Sequence, residues 1–365
     1  MSFATTLKNC LECIVPLTTF QVYDIKSKFT ECSTPLYKQH KGSTSSRHRL
    51  ILVSTAASGF VCGLETYEYK LTDVDSVIKN IVYVSKVDTN SMHRKYKGLT
   101  ARLIQAYITS LPCNTSVFVF ARAQPQYLFA KSADNEDKKI LSDRELVSWW
   151  LHVLNKVKRK CEGVWFIPGI EDSSSALIEI GARKRGWAPS TSIKWQYSVP
   201  FDSEADAASS IPQFEDDAKS RLLKNIEGEQ EKMSVKDFFN ILSIGEECGS
   251  GKLTGFFKLK LNVQENETSD FEDNENDTDS DSFTVFWNRF MSLNFENENA
   301  TKVSSKTAKR DINEILPKLK PIVVNTKAPV ESTSASIAKK TTDENTNKRP
   351  AVNVLSTGLI KRKKH

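Results

Sequence analysis

Nothing in this 365-residue chain approaches the run of ~18 apolar residues that a membrane helix needs. The opening stretch, MSFATTLKNCLEC, lacks the charged start and long apolar centre of a secretory signal. Histidine is scarce, at five residues, and neither His93 nor His152 has a companion at metal-ligand spacing. The seven cysteines are odd in number and scattered, which fits reduced thiols in a cytosolic or nuclear protein rather than a disulfide framework. Cys10 and Cys13 have zinc-like spacing, but no second CxxC or histidine pair follows, so they read as one side of an N-terminal helix. GEECGSGKLT (245–254) fails as a phosphate loop: Glu246 stands where a glycine is required, and Leu253 where a magnesium-holding hydroxyl belongs. Membrane, metal and nucleotide-hydrolysis chemistry are therefore not expected, and no internal repeat is visible.

What is present is a chain of ordinary composition, 39% hydrophobic and 26% charged, long enough for a substantial core. Its net charge of +6 is unevenly spread. Residues 301–365 hold fifteen Lys or Arg against five Asp or Glu, a surplus of ten, so the first 300 residues sum to −4. The stretch from about Lys302 is rich in Lys, Thr, Ser, Asn and Pro, reads as a disordered basic tail, and ends in GLIKRKKH. Lys361 to Lys364 suit nuclear import or an acidic partner, although a merely solubilising tail has the same composition. Residues 265–282, ENETSDFEDNENDTDSDS, carry nine acidic residues and no basic one, and read as a disordered acidic loop.

Between the two ends, strand and helix patterns alternate in a mixed α/β body over residues 1–300. RLILVSTA and FVCGLETYEYKL read as a strand pair turning at Ala57-Ser58-Gly59, and VIKNIVYVSKV as a strand ending near Asp88. SVFVFA, IKWQYSVPF (193–201) and LTGFFKLKLNV (253–263) read as further strands. Leu99, Leu103, Tyr107 and Leu111 recur at helical spacing behind Gly98. Ser142-x-x-Glu145 is a capping box opening a helix that should run to about Cys161. Further helices are expected at 172–185, 216–227 and 234–242, the last opened by Ser234-x-x-Asp237, with FTVFWNRFMSLNF returning to helical periodicity.

Three stretches have the residue types for chemistry. Arg94, Lys95 and Lys97 crowd ahead of Gly98 and a helix N-terminus, an arrangement suited to phosphate, though a solvated basic turn looks the same. ARAQPQYLF (121–129) places Arg122, Tyr127 and Phe129 directly after a buried strand, where rings also serve as core plugs. FEDDAKSRLL (214–223) starts a helix with Glu215, Asp216 and Asp217, which the helix dipole alone would favour.

Taken in order, VSKVDTN (84–90), FARAQPQYLF (120–129), KKILSDRELVSWW (138–150), FIPGIED (166–172) and IPQFEDDAKSRLL (211–223) resemble the fungal histone acetyltransferases known as regulators of Ty1 transposition. The likeness spans roughly residues 50–300. It implies a central mixed sheet flanked by helices, as in the CBP-type acetyltransferases. It also implies transfer of acetyl from acetyl-CoA, with no metal, to lysines of histone H3 in H3–H4. A histone chaperone of the anti-silencing or nucleosome-assembly type would present the substrate in the nucleus, during nucleosome assembly and the DNA damage response. The basic tail would engage the chaperone; membrane contact is not implied and direct DNA binding is not required. The chain departs from the family where LPCNTS replaces a long insertion, and in its acidic 265–282 segment.

By resemblance, acetyl-CoA contacts fall on Val87, Asp88 and Thr89, on the loop Arg94, Lys95, Tyr96, Lys97, Gly98, and on Phe120, Gln124, Lys139, Ile140, Leu141 and Trp149. Asp88, Tyr127, Trp150 and Asp217 match the channel for the substrate lysine, and Lys219 the lysine the family acetylates on itself. Trp149 is thus expected to face the cofactor and Trp150 the lysine. Either Asp217 or Asp88 is available as proton acceptor, with Asp217 preferred. Two other classes remain open on sequence: a non-catalytic histone- or nucleic-acid-binding protein, and an acetyltransferase for a small amine.

Overall fold

In the computed structural model the described residues are 2–12, 14–73, 78–215, 217–227, 232–245, 252–262, 270–271, 274–275 and 277–327. Ten strands among them form one sheet: β1 (Thr19–Lys26), β2 (Thr30–Glu31), β3 (Ser43–Thr55), β4 (Gly59–Thr72), β5 (Ile78–Thr89), β6 (Thr115–Ala121), β7 (Cys161–Phe166), β8 (Ile193–Tyr197), β9 (Gly255–Leu261) and β10 (Ile322–Asn325). The order is β10-β1-β3-β4-β5-β6-β9-β7-β8, with β2 beside β3. Only β5/β6 and β7/β8 pair in parallel among the described strands; the sheet is mixed, as expected.

Strands read as nearly continuous apolar runs because both faces are covered. Along β3, Ile51 and Val53 point into one core while Leu50 and Leu52 point into another. The first core takes its helical side chains from α1 (Phe3–Leu11), α2 (Leu99–Ser110), α3 (Asp143–Asn155) and α4 (Ser173–Glu179). On the opposite face, α8 (Ser280–Met291) and α9 (Glu298–Ile315) cover β1, β3 and β4 through Phe283, Phe286, Phe290 and Ile312. Beside them, α5 (Ala207–Ser210), α6 (Ala218–Glu227) and α7 (Val235–Ile244) pack around Phe256 of β9.

Several boundaries differ from the sequence reading. The tryptophan helix stops at Asn155, not Cys161: Lys156 leaves helical geometry, and Cys161 opens β7. The helix expected over 172–185 ends at Glu179, because Gly181 takes φ +59 and Arg183–Arg185 form a 3-10 turn. The strand from 193 ends at Tyr197, ahead of Pro200. β1, β2, β7 and β10 have no counterpart in the sequence reading. Ser142 and Glu145 do make both bonds of the capping box, and Ser234 caps α7 by accepting the Asp237 N–H.

The largest correction concerns the tail. The folded body does not stop at 300: α9 and β10 belong to it, and the compact unit extends to about Ala328. The core-facing side of α9 is Thr301, Ser304, Ser305, Ala308, Asp311 and Ile312, small and polar enough to pass for a tail. Small residues are needed because α9 crosses the β3–β4 turn closely. Gly59 has φ +69, and a Cβ there would lie 2.3 Å from the Ser305 hydroxyl, which accepts the Phe60 N–H at 2.8 Å. The acidic segment is likewise partly built in. Asp277 is buried and bonded to Arg47 at 3.3 Å, Phe271 joins the first core, and Ser280–Ser282 start α8. Residues 265–269, 272–273 and 276 of that segment, Cys13, most of the 245–254 loop, and the KRKK terminus lie outside the described residues.

Candidate active site

β5 and β6 pair only from Asn80/Thr115 to Val84/Val119. Beyond that point β5 continues to Thr89 against β4, while β6 continues to Ala121 against β9. The sheet forks, helped by a bulge that leaves Ser85 without a partner between Val84 and Lys86. Bulges bend a strand and turn the residues beyond them in a new direction. In the fork lies a cleft of about 470 Å³, at the carboxyl ends of two parallel strands, where open α/β sheets hold their ligands.

One end of the cleft is positive. Asn90 caps a 3-10 turn (Ser91–Lys95) by accepting the Met92 N–H, which carries Arg94 onto the rim beside Lys97. Gly98 then takes φ +85, a left-handed conformation that favours glycine, and begins α2 without a side-chain cap. The first turn of a helix leaves N–H groups without intrahelical acceptors, and Thr100 and Ala101 of that turn line the cleft. Arg94 also pairs with Asp137 across the mouth.

The floor and far wall are apolar. Val87, Phe120, Ile140, Leu141, Leu146 and both tryptophans line them. Trp149 and Trp150 meet edge to face, 5.1 Å between centroids, and differ in depth: Trp150 is buried in the first core, Trp149 half-buried.

Asp88 organises the wall between these ends. It is buried, and its Oδ2 accepts the N–H groups of Tyr127, Leu128 and Phe129 at 2.7, 2.8 and 3.0 Å. Its Oδ1 accepts from Lys138 Nζ at 2.9 Å and from the Thr89 N–H at 2.8 Å. Five donors use the acceptor capacity of one carboxylate. Asp88 is an anchor for the 122–129 loop. The Tyr127 hydroxyl donates to the Arg122 carbonyl, and burial, with Asp88 nearby, pushes the phenol above its ordinary value; it stays protonated.

Lys95, Tyr96, Asp217 and Lys219 do not line this cleft. Tyr96 turns into the core, its hydroxyl 2.9 Å from both Thr55 and Ser58. Asp217 and Lys219, both buried, are bonded to each other, with the ammonium 5.3 Å from the Phe214 ring centroid. Lys219 lines a small adjoining cavity that shares Val119 and Phe120 with the cleft. Asp216 lies outside the described residues. Among the lining residues that the sequence reading gave no role are His93 and Lys138. His93 lies 2.9 Å from Thr100 Oγ1, and burial lowers its pKa to about 4; Lys138 is the buried partner of Asp88. Lys138 opens the matched motif KKILSDRELVSWW and His93 lies just past VSKVDTN, which was the available signal. Among the described residues no three His, Cys, Asp or Glu side chains gather as a metal site.

A sequence model of the histone acetyltransferase KAT11-type domain matches residues 93–351, well over half of the chain. The chain belongs to the KAT11-type histone acetyltransferase family. As a member it is a protein-lysine acetyltransferase, and the reading as a non-catalytic binding protein falls away. This KAT11-type acetyltransferase is 29% identical over 268 residues to the histone acetyltransferase rtt109 of Schizosaccharomyces pombe, covering 66% of this chain and 67% of that one. It is 28% identical over 302 residues to rtt109 of Aspergillus flavus, covering 65% and 53%. It thus spans two thirds of one relative and about half of the other. The crystal structure of Rtt109 from Aspergillus fumigatus superposes with a TM-score of 0.73 at 19% identity, over 88% of this chain and 99% of that one. The fold is shared throughout the body, and the resemblance carried by the five ordered motifs names the same family.

Proposed function

We propose that the protein transfers the acetyl group of acetyl-CoA to lysines of histone H3, within H3–H4 held by a histone chaperone, in the nucleus, serving nucleosome assembly and the DNA damage response. The observation that carries the enzymatic part is the forked-sheet cleft: a phosphate-suited rim at Arg94, Lys97 and the α2 N-terminus, continuous with an apolar groove ending at two tryptophans. Coenzyme A has that polarity, with phosphates at one end and a thin pantetheine arm at the other. Val87, Thr89, Gly98, Phe120, Gln124, Ile140, Leu141 and Trp149 supply the groove, and Lys139 a cation at its edge.

Acetyl transfer needs a neutral amine, and a free lysine of pKa ~10.4 is neutral in only about one molecule per thousand near pH 7.4. Tyr127 and Trp150 strip water from the incoming ammonium, which favours loss of its proton. The amine nitrogen then attacks the thioester carbonyl, the C–N bond forms and the C–S bond breaks; no enzyme nucleophile is required. Asp88 has no spare acceptor site, which favours as proton acceptor Asp217, whose partner Lys219 lines the cavity adjoining the cleft. In the structure Lys219 occupies Asp217, so acetylation of Lys219 would free that carboxylate. The basic terminus, ending KRKKH, gives the chain its contact with an acidic chaperone.

The test is mass-spectrometric mapping of acetylated lysines on H3–H4, with and without chaperone, for wild type and Asp217→Asn. H3 acetylation that rises with chaperone and drops in the variant is expected. Equal labelling of H3 and H4, indifferent to chaperone and to the substitution, would overturn it.

A further inference from the structure

Lys138 is a lysine with only 3% of its side chain exposed, paired with an Asp88 carboxylate that is itself buried. Burying an ammonium is unfavourable unless it is paired and hydrogen-bonded, and even a complete buried pair adds little to stability compared with apolar residues of the same size. Burial accordingly pulls its pKa below the ordinary lysine value, against the pull of Asp88. Stability is a poor reason for this residue to be here. Geometry is a better one.

Its Nζ donates to Asp88 Oδ1 at 2.9 Å and to Ser132 Oγ at 2.8 Å. Asp88 in turn holds the N–H groups of Tyr127, Leu128 and Phe129. The three residues after Lys138, Lys139-Ile140-Leu141, line the cleft, and α3 with its tryptophans starts directly behind them at the Ser142 cap. One ammonium therefore ties together the end of β5, the Tyr127 loop, the Ser132 turn and the segment leading into α3. We infer that Lys138 is a positioning residue for acetyl transfer, fixing the separation of the Ile140 and Tyr127 walls so that thioester and amine meet. The inference rests on the cleft being the acetyl-CoA site.

The experiment compares wild type, Lys138→Met, Ser132→Ala and the double variant Asp88→Asn/Lys138→Met. It measures acetyl-CoA binding by calorimetry, steady-state kinetics on H3–H4, and melting temperature. Misplacement of a wall by an ångström can remove about a hundredfold in rate, so Lys138→Met should lose roughly that in kcat, with KM for acetyl-CoA raised severalfold. A merely charge-balancing lysine predicts that Lys138→Met melts lower but turns over normally per folded molecule, with melting temperature recovering in the double variant, where both charges are gone; a positioning one predicts that kcat stays low in both. Wild-type kinetics in Lys138→Met overturns the inference. Should Lys138→Met not fold, Ser132→Ala, which leaves both charges in place, is expected to fold with a modestly lower melting temperature and to raise KM about threefold, about the effect of one lost hydrogen bond; an unchanged KM overturns it. Wild type that fails to bind acetyl-CoA brings down the assignment of the cleft and this inference together. Wild type that binds, beside variants that bind and turn over equally well, brings down this inference alone.

Discussion

Glu68 on β4 and Asp88 on β5 are both buried carboxylates on neighbouring strands, and they are neutralised in different ways. Glu68 is met entirely by side chains: Arg47 at 2.6 Å, Arg49 at 2.9 Å and the Tyr107 hydroxyl at 2.7 Å. Burial alone would raise its pKa, but the two guanidiniums hold it at about 2. Around it Arg49 also reaches Asp24, and Arg47 reaches Asp277, so the network links β1, β3, β4 and α2 with the segment before α8. Asp88, by contrast, accepts mainly backbone N–H groups of a loop and takes a single cation. Side-chain networks clamp regular elements to one another. A carboxylate aimed at main-chain donors fixes the path of a loop, and in this protein that loop is a wall of the cleft.

The comparison breaks if both residues behave alike on substitution. Asp88→Ala should lose at least about a hundredfold in kcat/KM for acetyl transfer, since the Tyr127 loop is released. Circular dichroism should still show a folded protein, and wild-type turnover in this variant would equate Asp88 with any buried carboxylate. Glu68→Gln should do the reverse. Leaving two buried arginines short of a counter-charge removes about 3–5 kcal/mol of stability. Denaturant titration reads that loss, and turnover per folded molecule should stay near wild type.

The tryptophans sharpen the same contrast at smaller scale. Trp149→Ala should raise KM for acetyl-CoA about tenfold with little change in kcat, because a half-buried ring on the groove is lost. Trp150→Ala should lower kcat instead; identical profiles for the two would remove the division of labour between them.

The smallest effects are those of pH. Glu68 titrates lower in the folded state than in the unfolded chain. Its contribution is complete above about pH 4.5 and is lost as pH falls toward about 2. His93 is also lowered, to about 4, by burial. Below about pH 6.5 the unfolded chain binds a proton that the folded one refuses, so stability declines from there down to about pH 4 and then levels. Chemical denaturation at stepped pH should show both limbs, and His93→Gln should flatten the upper one alone.

How far the sequence reached was set by the range over which each feature is determined. Capping at Ser142 and Ser234, the Gly98 turn, and the runs that became β3, β4, β5 and β6 depend on neighbours within a few residues, and these were readable. The grouping of Val87, Asp88, Phe120, Tyr127, Ile140 and Trp149 around one cleft was available from ordered motifs, although nothing local says that β5 and β6 part after Val84 and Val119. Missed features depend on distant partners. Strand β1 alternates two opposite cores, Phe20 and Val22 to one, Tyr23 and Ile25 to the other, a pattern that gains meaning only with a helix layer on each face. Helix α9 looks like a tail because its buried side is serine, threonine and alanine, chosen by the close crossing at Gly59.

By itself the sequence determined local geometry and chemical inventory: where helices start, which runs are apolar on both sides, where cations precede a helix N-terminus, and which family the motifs belong to. Tertiary structure alone decided that the sheet forks, that Asp88 spends its oxygens on a loop forty residues away, and that Lys138 is buried beside it. The reason is that propensity and capping act over a few bonds. Burial, ion pairing and cleft shape are set by side chains that only the folded chain brings within reach.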